Sequence, residues 1–143
     1  MSVAVAIACA ICLFGTLSGQ VRIVRPVPRP RWRALAAKSG RLTVRAAGEE
    51  VLWRWLVLGR MSAPLGLPGA LVLSVGGFAL AHYGTQGRRG ILVHLVTGTT
   101  FAALYLATGS LVAPIVAHAA YNVLVSVAVE AEAGGSREEA TRS

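Results

Sequence analysis

The chain has 143 residues, 55% of them hydrophobic, with a mean hydropathy of +0.62 and a formal net charge of +8. That apolar content exceeds what a soluble domain of this length needs and fits a bundle of membrane helices. Eight of the fourteen basic residues fall between Arg22 and Arg45, flanked by apolar runs, which argues against nucleic acid as a partner and for a cytoplasmic loop under the positive-inside rule. The chain contains no aspartate, which removes aspartyl-protease chemistry and a common class of metal ligand.

In chain order, residues 1–19 read as a first membrane helix, apolar from Val3 to Gly19. Positive charge follows this run rather than preceding it, so it reads as an anchored helix with its N-terminus outside, not as a signal peptide. Cys9 and Cys12 lie inside it. Their C-x-x-C spacing has no βαβ context and no second pair, so they read as two small apolar side chains on one helix face. Residues 20–45 form a basic cytoplasmic linker whose Pro26, Pro28 and Pro30 prevent a regular helix, and whose charges suit anionic lipid headgroups. Lys38 to Ala47 can begin a surface helix.

Four further membrane helices are expected, over 48–62, 69–83, 91–108 and 111–129. They are separated by a Pro/Gly turn (Pro64 to Gly69), a polar loop (Thr85 to Gly90) and a tight turn (Gly109-Ser110). The tail, 130–143, reads as disordered. The fold class is therefore all-α, a polytopic transmembrane bundle of about five helices. The linker, the Arg88-Arg89 loop and the tail fall on one side, and Arg60 on the other, in keeping with the charge rule.

Glu49-Glu50-Val51-Leu52-Trp53-Arg54 opens the second of these helices. Ionisable groups in a membrane helix are costly and mark function by default. Glu50 and Arg54 are four apart and share a face, so they can pair. Glu49 lies about 100° round the helix and is left free for acid–base work. The blander reading is a helix start with acids near its positive end. Two more spacings follow: Phe78 with His82, and His118 with Asn122, each pair on one helix face. His94 matches neither pattern and reads as structural.

The order of these motifs, E-E-x-x-x-R, then F-x-x-x-H, then H-x-x-x-N, resembles the CPBP family of CAAX proteases and bacteriocin-processing enzymes, which includes the type II CAAX prenyl proteases. The segment Gly109 to Ile115 also resembles the lead-in to that family's last motif. The resemblance covers residues 46–129, which it marks as an intramembrane protease core. It implies an intramembrane endopeptidase in which Glu49 and His82 activate a water, His118 and Asn122 stabilise the oxyanion, and Glu50 and Arg54 fix the helix start and orient Glu49. The implied substrate is a membrane-embedded or lipidated peptide or protein; richness in Ala, Val, Gly and Arg suggests a GC-rich bacterium, and so its plasma membrane as the setting. No cofactor is required on this reading. A zinc peptidase with Glu49, His82 and His118 as ligands is the rival within the enzyme class. A non-catalytic immunity or scaffold protein is the rival outside it. Two features depart from the family. Trp55 stands where a small residue is common and would crowd a neighbouring helix. The stretch before the acid motif is short, which leaves room for a partner copy in a homo-oligomer to complete the cavity wall.

Overall fold

The computed structural model describes residues 32–140, which are helical almost throughout, with no strand among the described residues. The expected helix at 1–19, with Cys9 and Cys12, and the prolines of the linker lie outside the described residues. In order come α1 (Trp32–Glu50), a π-helical segment (Val51–Arg60), α2 (Met61–Ala81), α3 (Tyr83–Thr108) and α4 (Val112–Ala140).

The chain is already helical at Trp32, well before the acid pair. Ala34, Leu35, Ala36, Ala37, Lys38, Arg41 and Leu42 are all good helix formers. Glu49 and Glu50 therefore sit inside a continuous helical run, where no free helix N-terminus favours their charge. The reading of the pair as acids at a helix start is removed. Immediately after Glu50 the winding widens to a π-helix, a form that appears mostly as single-turn bulges and often at functional sites. Ser74 of α2 ties this segment down, its hydroxyl donating to the Trp53 carbonyl at 2.6 Å.

The expected turns occur as glycine breaks. Gly66, between Pro64 and Pro68, has φ 69° and ψ 160°. Gly87 has φ 65° and ψ −163°. Both combinations are essentially confined to glycine, and each splits its helix into two stretches. Gly109 ends α3, its N–H donating to the Tyr105 carbonyl at 2.9 Å. The tail expected to be disordered continues α4 to Ala140, and its Glu and Ala residues are strong helix formers.

Two stretches, Ala36–Ala81 and Gly90–Thr108, are long and apolar enough to cross a membrane, and Val112–Ser126 is a shorter apolar helix. The five expected spans are not all present as separate helices. The second and third lie in one helical run broken at Gly66. Only 22% of the apolar stretch in Ala36–Ala81 is buried, and 44% of that in Gly90–Thr108. Leu52, Leu56, Val72, Leu80 and Leu92 face outward, a surface that hydrocarbon solvates and water does not. Trp55 also faces outward, under the Arg60 guanidinium 5.0 Å from the ring centroid, and crowds no helix among the described residues.

Inside, α1 lies along α4, and α2 packs against both the π segment and α3. Val93, Phe101, Leu104, Ala117 and Tyr121 form the core between α3 and α4. Leu58, Ala70 and Ala102 join the π segment, α2 and α3. Gly77 leaves the space that the Trp53 ring fills. These contacts bring the C-terminal end of α1, the α2–α3 junction and the middle of α4 to one place.

Candidate active site

The innermost part of the site is a buried ion cluster. Glu50 and Arg54 are both fully buried, with Arg54 Nε 3.0 Å from Glu50 Oε2. This is an ion pair without hydrogen-bond alignment. The aligned bond of Arg54 goes from Nη2 to the Gly98 carbonyl of α3, at 3.0 Å. Its guanidinium also lies over Phe78, 4.7 Å from the centroid, and Phe101 at 5.6 Å. The arginine thus clamps the π segment to α2 and α3. Gly98 has room for this because it carries no side chain towards Phe78.

The other oxygen of Glu50 reaches α4. His118 Nδ1 lies 2.8 Å from Glu50 Oε1. A carboxylate can only accept, so Nδ1 carries the proton and Nε2 faces the other way. The His118 ring is stacked on Phe101 at 4.8 Å and 19°, with Phe78 edge-on at 5.8 Å. A histidine held by a carboxylate on one nitrogen, with its plane fixed by an aromatic, has a defined tautomer and direction.

His82 is set the same way by different means. Its Nδ1 lies 2.8 Å from the Phe78 carbonyl, one turn back, so Nδ1 is again the donor and Nε2 is free. Both Nε2 atoms point at Glu49, with Oε2 3.8 Å from His82 Nε2 and 3.7 Å from His118 Nε2. These separations are too long for direct hydrogen bonds. The other oxygen of Glu49, Oε1, accepts from Arg45 Nε at 2.8 Å. Glu49 therefore has a partner in its own helix, contrary to expectation: Arg45 stands at the same four-residue spacing that pairs Glu50 with Arg54.

Glu49, His82, His118 and Asn122 line a single cavity of about 430 Å³, closed on other sides by Leu42, Val93, Tyr121 and Val125. The structure thus brings together the four residues singled out as catalytic, with Glu50 and Arg54 behind them. Three acceptor atoms of types that suit zinc meet there. Among the described residues no group of three or more His, Cys, Asp or Glu side chains is gathered as a formed metal site.

His94 is the residue the sequence reading left out. It also lines the cavity and is buried, with its ring stacked on His82 at 3.8 Å and 22°. It lies on the inward stripe of α3 with Val93, Thr97, Phe101 and Leu104, which are all buried. A histidine at i, i+3, i+7 spacing with such residues carries the signal of an interior position.

The sequence profile of the type II CAAX prenyl endopeptidase Rce1-like family matches residues 32–124. The chain belongs to that family. Neither a curated protein nor a solved structure matches the chain significantly. Membership brings a CAAX-protease-type function at the level of the family, and with the two long apolar helices it points to an integral membrane protein. The match takes in the helix that carries Arg45 as well as the acid pair.

Proposed function

We propose that the chain is an intramembrane endopeptidase that cleaves a peptide bond in a membrane-embedded or lipidated peptide or protein. The observation that carries this reading is the meeting of Glu49 Oε2 with the Nε2 atoms of His82 and His118, at 3.8 and 3.7 Å, beside Asn122 in one cavity. A water held there donates one hydrogen to Glu49 and the other to His82, which aligns its lone pair with a scissile carbonyl. As the C–O bond forms, Glu49 takes the proton, and it returns that proton to the leaving nitrogen when the C–N bond breaks. General base and acid assistance of this kind contributes about 10²–10⁴-fold.

The oxyanion falls to Asn122 and His118. The amide N–H of Asn122 is a permanent donor. His118 donates through Nε2 only in its doubly protonated form, since its Nδ1 proton is committed to Glu50. Asn122 is therefore the primary oxyanion donor on this reading, and such a donor contributes about 10²–10³-fold. Glu50 and Arg54 hold His118 and brace the helices rather than touching substrate. The reading needs no metal.

The basic residues of the linker and α1 are proposed to face the cytoplasm and its anionic lipids, which places the N-terminus outside. The deciding experiment is Glu49→Gln in purified, lipid-reconstituted protein, assayed on a farnesylated C-a-a-X peptide with and without a zinc chelator. Loss of cleavage with the fold intact supports the mechanism. Chelator-sensitive cleavage moves it to the zinc peptidase with Glu49, His82 and His118 as ligands. If a biological effect such as immunity persists in Glu49→Ala, the chain is the non-catalytic membrane factor.

A further inference from the structure

Among the described residues the imidazole ring of His82 makes a single hydrogen bond, from Nδ1 to the Phe78 carbonyl. That bond fixes one atom of the ring but leaves its plane free to tilt. What sets the plane is the environment of its two faces: Phe78 at 4.8 Å and 58°, and His94 at 3.8 Å and 22°. His94 is the closer and the more nearly parallel. It is 7% exposed and is itself held, with Nε2 3.0 Å from Gln86 Oε1 and Phe78 edge-on at 5.5 Å.

The Gln86 bond has a second support. Gln86 and His94 lie on opposite sides of the break at Gly87, so their contact joins the first stretch of α3 to the second. The glycine at position 90 permits it. A methyl group on Gly90 would collide with the β-carbon of Gln86 and come within 3.2 Å of its Oε1. The segment after His82, the amide of Gln86 and the ring of His94 therefore form one braced unit behind His82.

We infer that His94 is a positioning residue of the candidate active site: anchored by Gln86 across the Gly87 break, its ring is the plate that keeps His82 Nε2 turned to Glu49. His94 moves no proton in this scheme. The inference rests on the peptidase reading for its kinetic readout only, since the orientation of His82 is measurable without turnover.

The test uses the full chain in lipid nanodiscs with ¹⁵N-labelled imidazoles. The sequence has three histidines, so each resonance is assigned by one substitution. In the unaltered protein His82 shows a single tautomer protonated on Nδ1. In His94→Ala, and in the surface variant Gln86→Ala, that signal divides between tautomers or broadens. Gly90→Ala, which alters no polar side chain, gives the same result. His94→Phe restores the plate and with it the single His82 tautomer. With turnover available, His94→Ala lowers kcat towards about 10²-fold, the loss expected for a misplacement of ~1 Å, with KM little changed. His94→Phe recovers most of it. Unchanged His82 resonances in both His94→Ala and Gln86→Ala overturn the inference. So does a His94→Phe protein with His82 in place but no recovery of kcat, which would give the imidazole a chemical role. If the unaltered chain cleaves nothing, the peptidase reading fails while the imidazole spectra still decide the role of His94.

Discussion

Glu50 and Glu49 are adjacent, yet neutralising them has opposite consequences. Glu50→Gln keeps the shape of the side chain but removes the counter-charge of Arg54, and both groups are fully buried. The amide also cannot serve both neighbours. One end must accept from His118 Nδ1, which turns the NH₂ end towards the Arg54 donors. Breaking a buried pair in this way costs about 3–5 kcal/mol. The Arg54 guanidinium keeps its bond to Gly98 and its two aromatic faces, which place the loss toward the lower end. Glu49→Gln loses its pair with Arg45, whose side chain is 65% exposed against 19% for Glu49, and the carboxylate's longer approaches to His82 and His118. Exposed pairs of this type contribute about 0–1 kcal/mol. The expected gap between the variants is therefore at least ~2 kcal/mol, read as a shift in the midpoint of reversible unfolding in mixed detergent micelles. Activity should rank the other way, with Glu49→Gln folded and inactive. Equal stability of the two variants, or a less stable Glu49→Gln, would refute the division of labour between them.

Other substitutions probe the frame around the site. Gly77→Ala forces a methyl group against the Trp53 ring and should cost about 1–3 kcal/mol, and a smaller ring at position 53 in the double variant should recover part of it. Gly66→Ala meets only an ordinary contact, Pro68 Cδ at 3.8 Å, but must adopt a glycine-only conformation, so a loss of about 1–3 kcal/mol without any steric overlap is expected in the same unfolding assay. For orientation, Ser39→Cys should resist a membrane-impermeant thiol reagent applied to intact cells with Cys9 and Cys12 replaced; strong labelling would reverse the proposed topology.

The helical class and the breaks between helices were legible because they follow from local chemistry. The Pro64–Gly69 cluster, the Thr85–Gly90 loop and Gly109-Ser110 each contain the glycine at which the chain turns. The second helix was legible ahead of the acid pair only from Lys38 to Ala47, which read as able to begin a surface helix; the basic charge of residues 33–45 masked the helix-forming composition before it. Lysine and arginine extend a helix almost as well as alanine, so a run can be a charged loop by topology and a helix by geometry. The π-helical winding of Val51–Arg60 left no trace in the apolar pattern. It depends on tertiary ties such as Ser74 to Trp53, which no periodicity reports.

The site was legible to the extent that spacing along one helix determines contact. Glu50 with Arg54, and Phe78 with His82, are one turn apart and do meet. Glu49 with Arg45 obeys the same spacing and was equally available in the sequence. Contacts between helices could not be ranked in this way. Nothing local says that His118 binds Glu50 rather than lying free beside Asn122, and this bond, at 2.8 Å, determines which nitrogen faces the cavity. Because the acids are interior to a helical run, neither has a helix terminus to stabilise it. Each is instead matched by an arginine one turn away, Glu49 by Arg45 on the N-terminal side and Glu50 by Arg54 on the C-terminal side. The two pairs differ in exposure, and the proposed mechanism divides the roles along that difference: the dry pair holds the helices, while the wet pair exchanges its partner for a water and a substrate.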